Sequence, residues 1–169
     1  MFKVVFILFS VLSLFLQGCS ADNGFHLRKN VALPAQFQTL QVENIPSDNN
    51  FREVFESALE EAGGKLEKDA STRIVFSNFE EGKRVIAYTR ERKAREYLLF
   101  LKLAYEIHTY KNKKLTKLPA RRLNIDRSYL YDPDFALGKA EEEKQVQKNL
   151  YQEAARLILL RLQYSQTAL

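Results

Sequence analysis

Residues 95–110 narrow the choice of fold more than any other part of the chain. Tyr97, Leu99, Leu101, Leu103, Tyr105 and Ile107 occupy every second position, with Leu98, Phe100, Lys102, Ala104, Glu106 and His108 between them. A period of two places the first set on one face of a β-strand, whereas a helix would scatter it around its axis. That face is continuously apolar and the other is mixed, so the strand belongs to a sheet covered mainly on one side. Comparable stretches, residues 71–88 and 115–130, flank it. The intervening turns at residues 90–94 and 111–114 are charged and contain no Asn-Gly pair to fix their register. Residues 37–43 alternate as well and read as a fourth strand.

The remaining periodic segments are helical. Phe51, Val54, Phe55, Ala58, Leu59 and Ala62 recur at three- and four-residue intervals and form one buried stripe. Asn50 and Glu53 suggest a capping-box-like start, and Gly63-Gly64 a stop. At the other end of the chain Asp132 is placed to cap a helix that has Pro133 at its first position, where the missing donor costs nothing. Gly138 would delay its regular part. Glu141, Glu142 and Glu143 sit early in it, where the helix dipole favours negative charge, and Val146, Leu150, Ala154, Leu157 and Ile158 supply its apolar stripe. The order β-α-β-β-β-α implies an α+β fold, a four-stranded mostly antiparallel sheet with two helices packed on one face.

Lys3 is followed by an apolar run over residues 4–16, interrupted only by Ser10 and Ser13. Thirteen helical residues span about 20 Å, short of the roughly 30 Å hydrocarbon core of a bilayer. A positive residue before a short apolar run is the pattern of a secretory signal peptide. The run ends in Leu16-Gln17-Gly18-Cys19, which resembles the lipobox of bacterial lipoproteins, and Cys19 is the chain's one cysteine. In that class of protein the cysteine receives a thioether-linked diacylglycerol, the chain is cut before it, and the new amine is acylated. This divides the chain into a signal peptide at residues 1–18, a lipidated Cys19 with a polar tether at residues 19–30, and one α+β domain at residues 31–169. Ser20 after the cysteine favours the outer membrane by resemblance to the lipoprotein sorting rule. Export to that compartment removes nucleic acid as a partner.

The formal net charge of +5 is unevenly distributed: residues 83–122 hold 13 of the 26 basic residues and 3 of the 21 acidic ones. If the three long strands form a meander, the turn at residues 90–94 returns to the end where the last helix begins. Arg90, Arg92, Lys93 and Arg95 would then lie near Lys139 as a phosphate-binding pole, arginine acting as a planar fork and lysine as a point charge. The same charges serve equally well as solubilising groups on edge strands. Tyr97, Tyr105, Tyr129 and Tyr131 read as packing residues rather than a ligand box.

The sequence offers nothing for catalysis or metal binding. His26 and His108 lie in the tether and on a strand, and no nucleophile elbow, phosphate-binding loop or zinc-protease motif occurs. One cysteine and two histidines exclude the usual structural zinc sets. No enzyme and no cofactor are expected, apart from the covalent diacylglycerol and N-acyl chain on Cys19.

Two further motifs resemble a known family. Gly24-Phe25-His26-Leu27-Arg28 is similar to the Gly-Phe-x-Leu-Arg motif that opens mature LptE, the lipopolysaccharide-assembly lipoprotein, although here four residues separate it from the cysteine. Arg127-Ser128-Tyr129-Leu130-Tyr131-Asp132-Pro133, followed by Ala136-Leu137-Gly138-Lys139, resembles the family's approach to its last helix. The resemblance implies a protein seated in the lumen of the outer-membrane β-barrel LptD, anchored by its lipid on the periplasmic side. It would support assembly of that barrel and delivery of lipopolysaccharide to the outer leaflet. It also implies lipopolysaccharide phosphates at Arg90 and Lys139. A freestanding lipid-binding or carrier lipoprotein is the alternative.

Overall fold

The computed structural model describes residues 31–46, 50–111 and 114–165. The expectations for the leader, for Cys19 and for the Gly24-Phe25-His26-Leu27-Arg28 motif fall outside these residues. The elements are β1 (Thr39–Glu43), α1 (Phe51–Glu61), β2 (Lys65–Leu66), β3 (Thr72–Tyr88), β4 (Ala94–Lys111), β5 (Lys114–Lys117), β6 (Arg121–Leu130) and α2 (Ala136–Tyr164). The α+β class and the one-sided cover of the sheet are as expected. The sheet has six strands rather than four and runs β2-β1-β3-β4-β5, with β6 also paired to β4.

Two features account for the difference. The two-residue β2 pairs parallel with β1 after the chain leaves α1. The expected strand at residues 115–130 is split. β5 pairs with the last residues of β4 and β6 with Glu96 to Tyr105, so the two pieces lie end to end along one edge. Pro119 stands between them, and a proline has no N–H to donate to a ladder. β3 and β4 are antiparallel over almost their full length, while β1 runs parallel to β3.

The apolar band on β4 is core. Leu99, Leu101, Leu103, Tyr105 and Ile107 are buried, and Tyr97 is half-buried. From α1, Phe51, Phe55, Leu59 and Ala62 are buried. Phe51 lies between Phe55, Phe76, Phe79 and Tyr151, with ring centroids 5.5–6.1 Å away in tilted or edge-on arrangements. From α2, Leu150, Ala154 and Ile158 are buried as expected, together with Tyr151, Ala155, Leu159 and Leu162. The stripe on α2 is wider than its sequence suggests because the helix packs on α1 as well as on the sheet.

The helix ends depart from the sequence reading in detail. Asn50 makes no side-chain capping bond to α1. Asp132 accepts from the Asp134 N–H at 3.0 Å and starts a short 3-10 turn, Pro133–Phe135, so that α2 proper begins at Ala136. The three glutamates therefore lie beyond the first turn of α2. The glycine stop does form. Gly63 takes a φ of +81°, Gly63 N–H donates to Glu60 O and Gly64 N–H to Leu59 O, both at 2.9 Å, a Schellman ending.

Candidate functional site

The β3–β4 turn closes on itself. Thr89 N–H donates to Lys93 O at 2.8 Å, Arg92 N–H to Thr89 O at 3.0 Å, and Lys93 N–H to Thr89 Oγ1 at 3.3 Å. Arg92 is held at φ +62°, a left-handed conformation uncommon for a residue with a Cβ. Tyr131 N–H donates to Arg95 O at 2.7 Å, which brings the segment leaving β6 against the start of β4. The 3-10 turn then directs α2 back down the sheet.

These elements surround one open groove of about 830 Å3. Its lining includes Arg90, Lys93, Arg95 and Lys139, joined by the carboxylates of Glu91 and Asp132. Arg92 is exposed and is not among the lining residues. Four of the five expected cations therefore meet, and the fifth lies on the turn outside. Lys139 is already engaged, 2.6 Å from Glu142 Oε2. Neither Arg90, Lys93 nor Arg95 has an ion pair among the described residues. The sequence reading did not include Leu130, Tyr131 or Phe135, which supply an apolar wall. Leu130 and Phe135 are 57% and 69% exposed, so this wall is open to solvent. Leu130 and Tyr131 lie in the motif over residues 127–133, but nothing in the sequence marks them or Phe135 as a groove wall, because the groove exists only where two distant turns converge.

The face of α2 above this groove is tied to the sheet by polar contacts. Glu143 lies 2.7 Å from Lys83 Nζ and accepts from Tyr129 OH at 2.5 Å. Burial alone would raise the Glu143 carboxyl, but hydrogen bonds from Lys83 and Tyr129 and the lysine's charge outweigh it and hold it below its ordinary range. Burial and the Glu143 carboxylate both push the Tyr129 phenol up. Tyr97 stacks on Tyr129 with centroids 5.7 Å apart, meets Tyr131 edge-on at 5.3 Å and carries Lys83 Nζ 4.9 Å above its ring. These tyrosines are packing groups, as their positions on the strands imply, although Tyr131 also reaches the groove.

A larger groove, about 1170 Å3, runs between α1 and α2 and is lined by Glu53, Glu61, Lys144, Lys148, Glu153 and Arg156 among others. Its charges are mixed, so it offers no focused field for an anion. His108 pairs with Glu106 at 2.9 Å. Among the described residues no group of three or more His, Cys, Asp or Glu side chains is placed to hold a metal, and no helix is long and apolar enough to cross a membrane. Chemically, the Arg90 groove presents forked and point-charge donors next to exposed apolar side chains, a surface suited to a phosphorylated amphiphile.

Comparison with known proteins gives one family. The model of LptE, described as lipopolysaccharide-assembly, matches residues 37–162. Three solved structures share the fold, each with a TM-score of 0.61. A minor lipoprotein from Acinetobacter baumannii is 18% identical, the match covering 79% of this chain and 96% of that one. Rare lipoprotein B from Shewanella oneidensis is 17% identical over 77% and 97% of the two chains. An uncharacterized lipoprotein B from Nitrosomonas europaea is 23% identical over 86% and 93%. At these identities the likeness is one of fold. No curated protein matches the sequence.

Proposed function

The chain belongs to the LptE family of lipopolysaccharide-assembly proteins, and from that premise we propose that it is the plug subunit of a lipopolysaccharide translocon. In this reading Cys19 carries the acyl chains and holds the protein to the outer membrane on its periplasmic side. The folded domain sits in the lumen of a large LptD-like β-barrel, supports assembly of that barrel and helps pass lipopolysaccharide to the outer leaflet. The protein makes and breaks no bonds of its own. A wet lumen accepts a domain whose surface is this polar.

The observation that carries the ligand assignment is the meeting of Arg90, Lys93, Arg95 and Lys139 around a groove with an apolar wall at Leu130, Tyr131 and Phe135. Lipid A phosphates would engage the cations and the first carbons of the acyl chains would lie against the wall. Arg90→Glu combined with Lys139→Glu is expected to weaken binding of purified lipopolysaccharide while the variant still co-purifies with the barrel. Unchanged binding at low salt removes the phosphate assignment. Extraction of the native protein in mild detergent tests the partner, since recovery of monomer alone counts against the plug. Intact mass of the extracted protein tests cleavage before Cys19 and acylation together. A soluble form that takes up a fluorescent fatty acyl probe and never associates with a barrel would favour the carrier reading.

A further inference from the structure

On one side the sheet ends in β6, whose outer edge pairs with no other strand among the described residues. Tyr131 N–H donates to Arg95 O at 2.7 Å, and this pair continues the β4–β6 register beyond Glu96 and Leu130. Bonded and non-bonded pairs alternate along an antiparallel ladder. Odd-numbered residues of β6 therefore turn their backbone groups to β4, and Arg122, Asn124, Asp126 and Ser128 turn theirs outward. Among the described residues one of these outward groups is taken, Asp126 O, by Arg127 Nη1 at 2.8 Å.

Natural sheets blunt such edges with bulges, proline or lysine. The outer edge of β3, beyond its last pair with β1, follows that rule: its register shifts between Ser77 and Glu80 and again between Val85 and Tyr88. β6 does not. Its register with β4 is unbroken over ten residues, and it holds neither lysine nor proline.

What this edge carries is arginine. Arg121 stands opposite Tyr105 on the face covered by the helices, and Arg122 opposite Ala104 on the open face. Arg161 of α2 lies 5.7 Å from the centroid of the same Tyr105 ring and donates to Pro119 O at 3.2 Å. Arg121 and Arg161 thus approach Tyr105 from strand and helix. Neither they nor Arg122 nor Arg127 has an ion pair among the described residues. Residues 107–125 and 154–165, which meet at this corner, contain no Asp or Glu. On the open face Glu106, two positions along β4 from Ala104, is paired with His108. Burial pushes the Arg161 guanidinium down from its ordinary value, and the Arg121 charge adds to that. An anion between the two would relieve both.

We infer that the outer edge of β6 accepts an extended acidic strand from another polypeptide, its backbone pairing with residues 122–128 and a carboxylate entering between Arg121 and Arg161. A second copy of the same edge is disfavoured, because three arginines against one aspartate repel their own image. The inference rests on the plug reading for which chain supplies the strand. Strands of a closed barrel are already paired on both sides, so the segment is a loop or terminal stretch of the barrel chain lying in its lumen. The pairing ends at Ser128, short of Leu130 and the Arg90 groove.

Hydrogen exchange read residue by residue tests this. In the full chain held in detergent micelles, the Leu123, Ile125 and Arg127 amides should exchange slowly and those of Arg122, Asn124, Asp126 and Ser128 fast. Two ten-residue probe peptides are added separately, one alternating glutamate with threonine and one alternating lysine with threonine. The glutamate peptide is expected to slow the four outward amides and the lysine peptide to leave them unchanged. Glu81 and Lys83, whose amides point away from β4 on the bulged edge of β3, should not respond to either. Arg121→Glu with Arg122→Glu lowers the paired-to-unpaired ratio about tenfold, at roughly threefold per charge. Asn124→Pro abolishes the slowing while the inward amides stay slow, because that N–H takes no part in the β4 ladder. Slowing by neither peptide, by both equally, or equally at Glu81 and Lys83 overturns the inference. The complex with the barrel is read in the same way, and the same four amides should slow. If no barrel is recovered, the plug reading fails by itself and the peptide result still decides the edge. A recovered complex in which the four amides exchange as fast as in the free chain overturns the barrel chain as the donor of the strand.

Discussion

Lys83 and Glu143 are 60 residues apart in sequence and 2.7 Å apart in space, and together they join the distal half of β3 to the first half of α2. Tyr129 donates to the same carboxylate from β6. Three elements thus meet at one ion pair just below the Arg90 groove, so the position of Lys139 on α2 depends on it.

Glu143→Ala is expected to lower stability by about 1–2 kcal/mol, since it removes a partly exposed pair and leaves the Tyr129 hydroxyl unpaired near the core. The pH dependence has two arms. Glu143 titrates below its ordinary value of 4.5 in the folded chain, so the stability it lends is full above that value and is lost as pH falls through the lowered one. Tyr129 titrates above its ordinary value of 10.0, so the unfolded chain ionises first and stability falls as pH rises beyond 10. Urea midpoints measured from pH 3 to 11 would show both arms in the parent, and Glu143→Ala should flatten the acid one.

Gly63 and Gly64 are adjacent but should fail for different reasons. At Gly63 an added Cβ meets no atom within 4 Å, and the cost is the φ of +81°. Alanine there should cost roughly 1 kcal/mol, and asparagine less. At Gly64 a Cβ would lie 2.6 Å from Leu59 Cδ1 and 3.0 Å from Leu33 Cδ1, inside packed core. Gly64→Ala should cost about 1–3 kcal/mol, and Leu33→Ala in the same chain should recover part of it. A double-mutant cycle by urea denaturation separates the two mechanisms.

Arg92 separates charge from conformation at the turn. Its φ of +62° is better suited to glycine, so Arg92→Gly should stabilise the domain by up to about 1 kcal/mol. Because Arg92 does not line the groove, the same change should leave lipopolysaccharide binding within about twofold, after allowance for one exposed distant charge. Arg90→Gly should weaken binding severalfold more. Equal losses in the two variants would mean that the turn acts by diffuse charge and not as a site.

Phe51 is fully buried among four aromatic rings contributed by α1, β3 and α2. Phe51→Ala should cost roughly 3–5 kcal/mol, and Phe51→Leu considerably less. A thermal melt with a matched urea titration checks the order.

The sequence by itself determined the local periodicities and therefore the class of fold. The apolar band on β4, the stripe on α1 and the glycine stop at Gly63 each depend on spacing within one element, and burial follows spacing. Given a meander, it also placed the turn at residues 90–94 at the same end as the start of the last helix, because successive antiparallel strands reverse direction. Tertiary structure decided what depends on contacts between elements. Asn78, at φ +51°, sits in a bulge between Ser77 and Glu80 that shifts β3 by one residue. Phe79 is thereby partly buried against Phe51 and Glu81 is turned beneath Tyr151, an inversion that no period of two reveals. Glu143 likewise reads in sequence as a dipole charge near a helix start and becomes the partner of Lys83 only when α2 lies across the sheet. Leu130 and Phe135 become a groove wall for the same reason. A one-dimensional pattern encodes which face of an element is buried, and the identity of its neighbours arises when the elements pack.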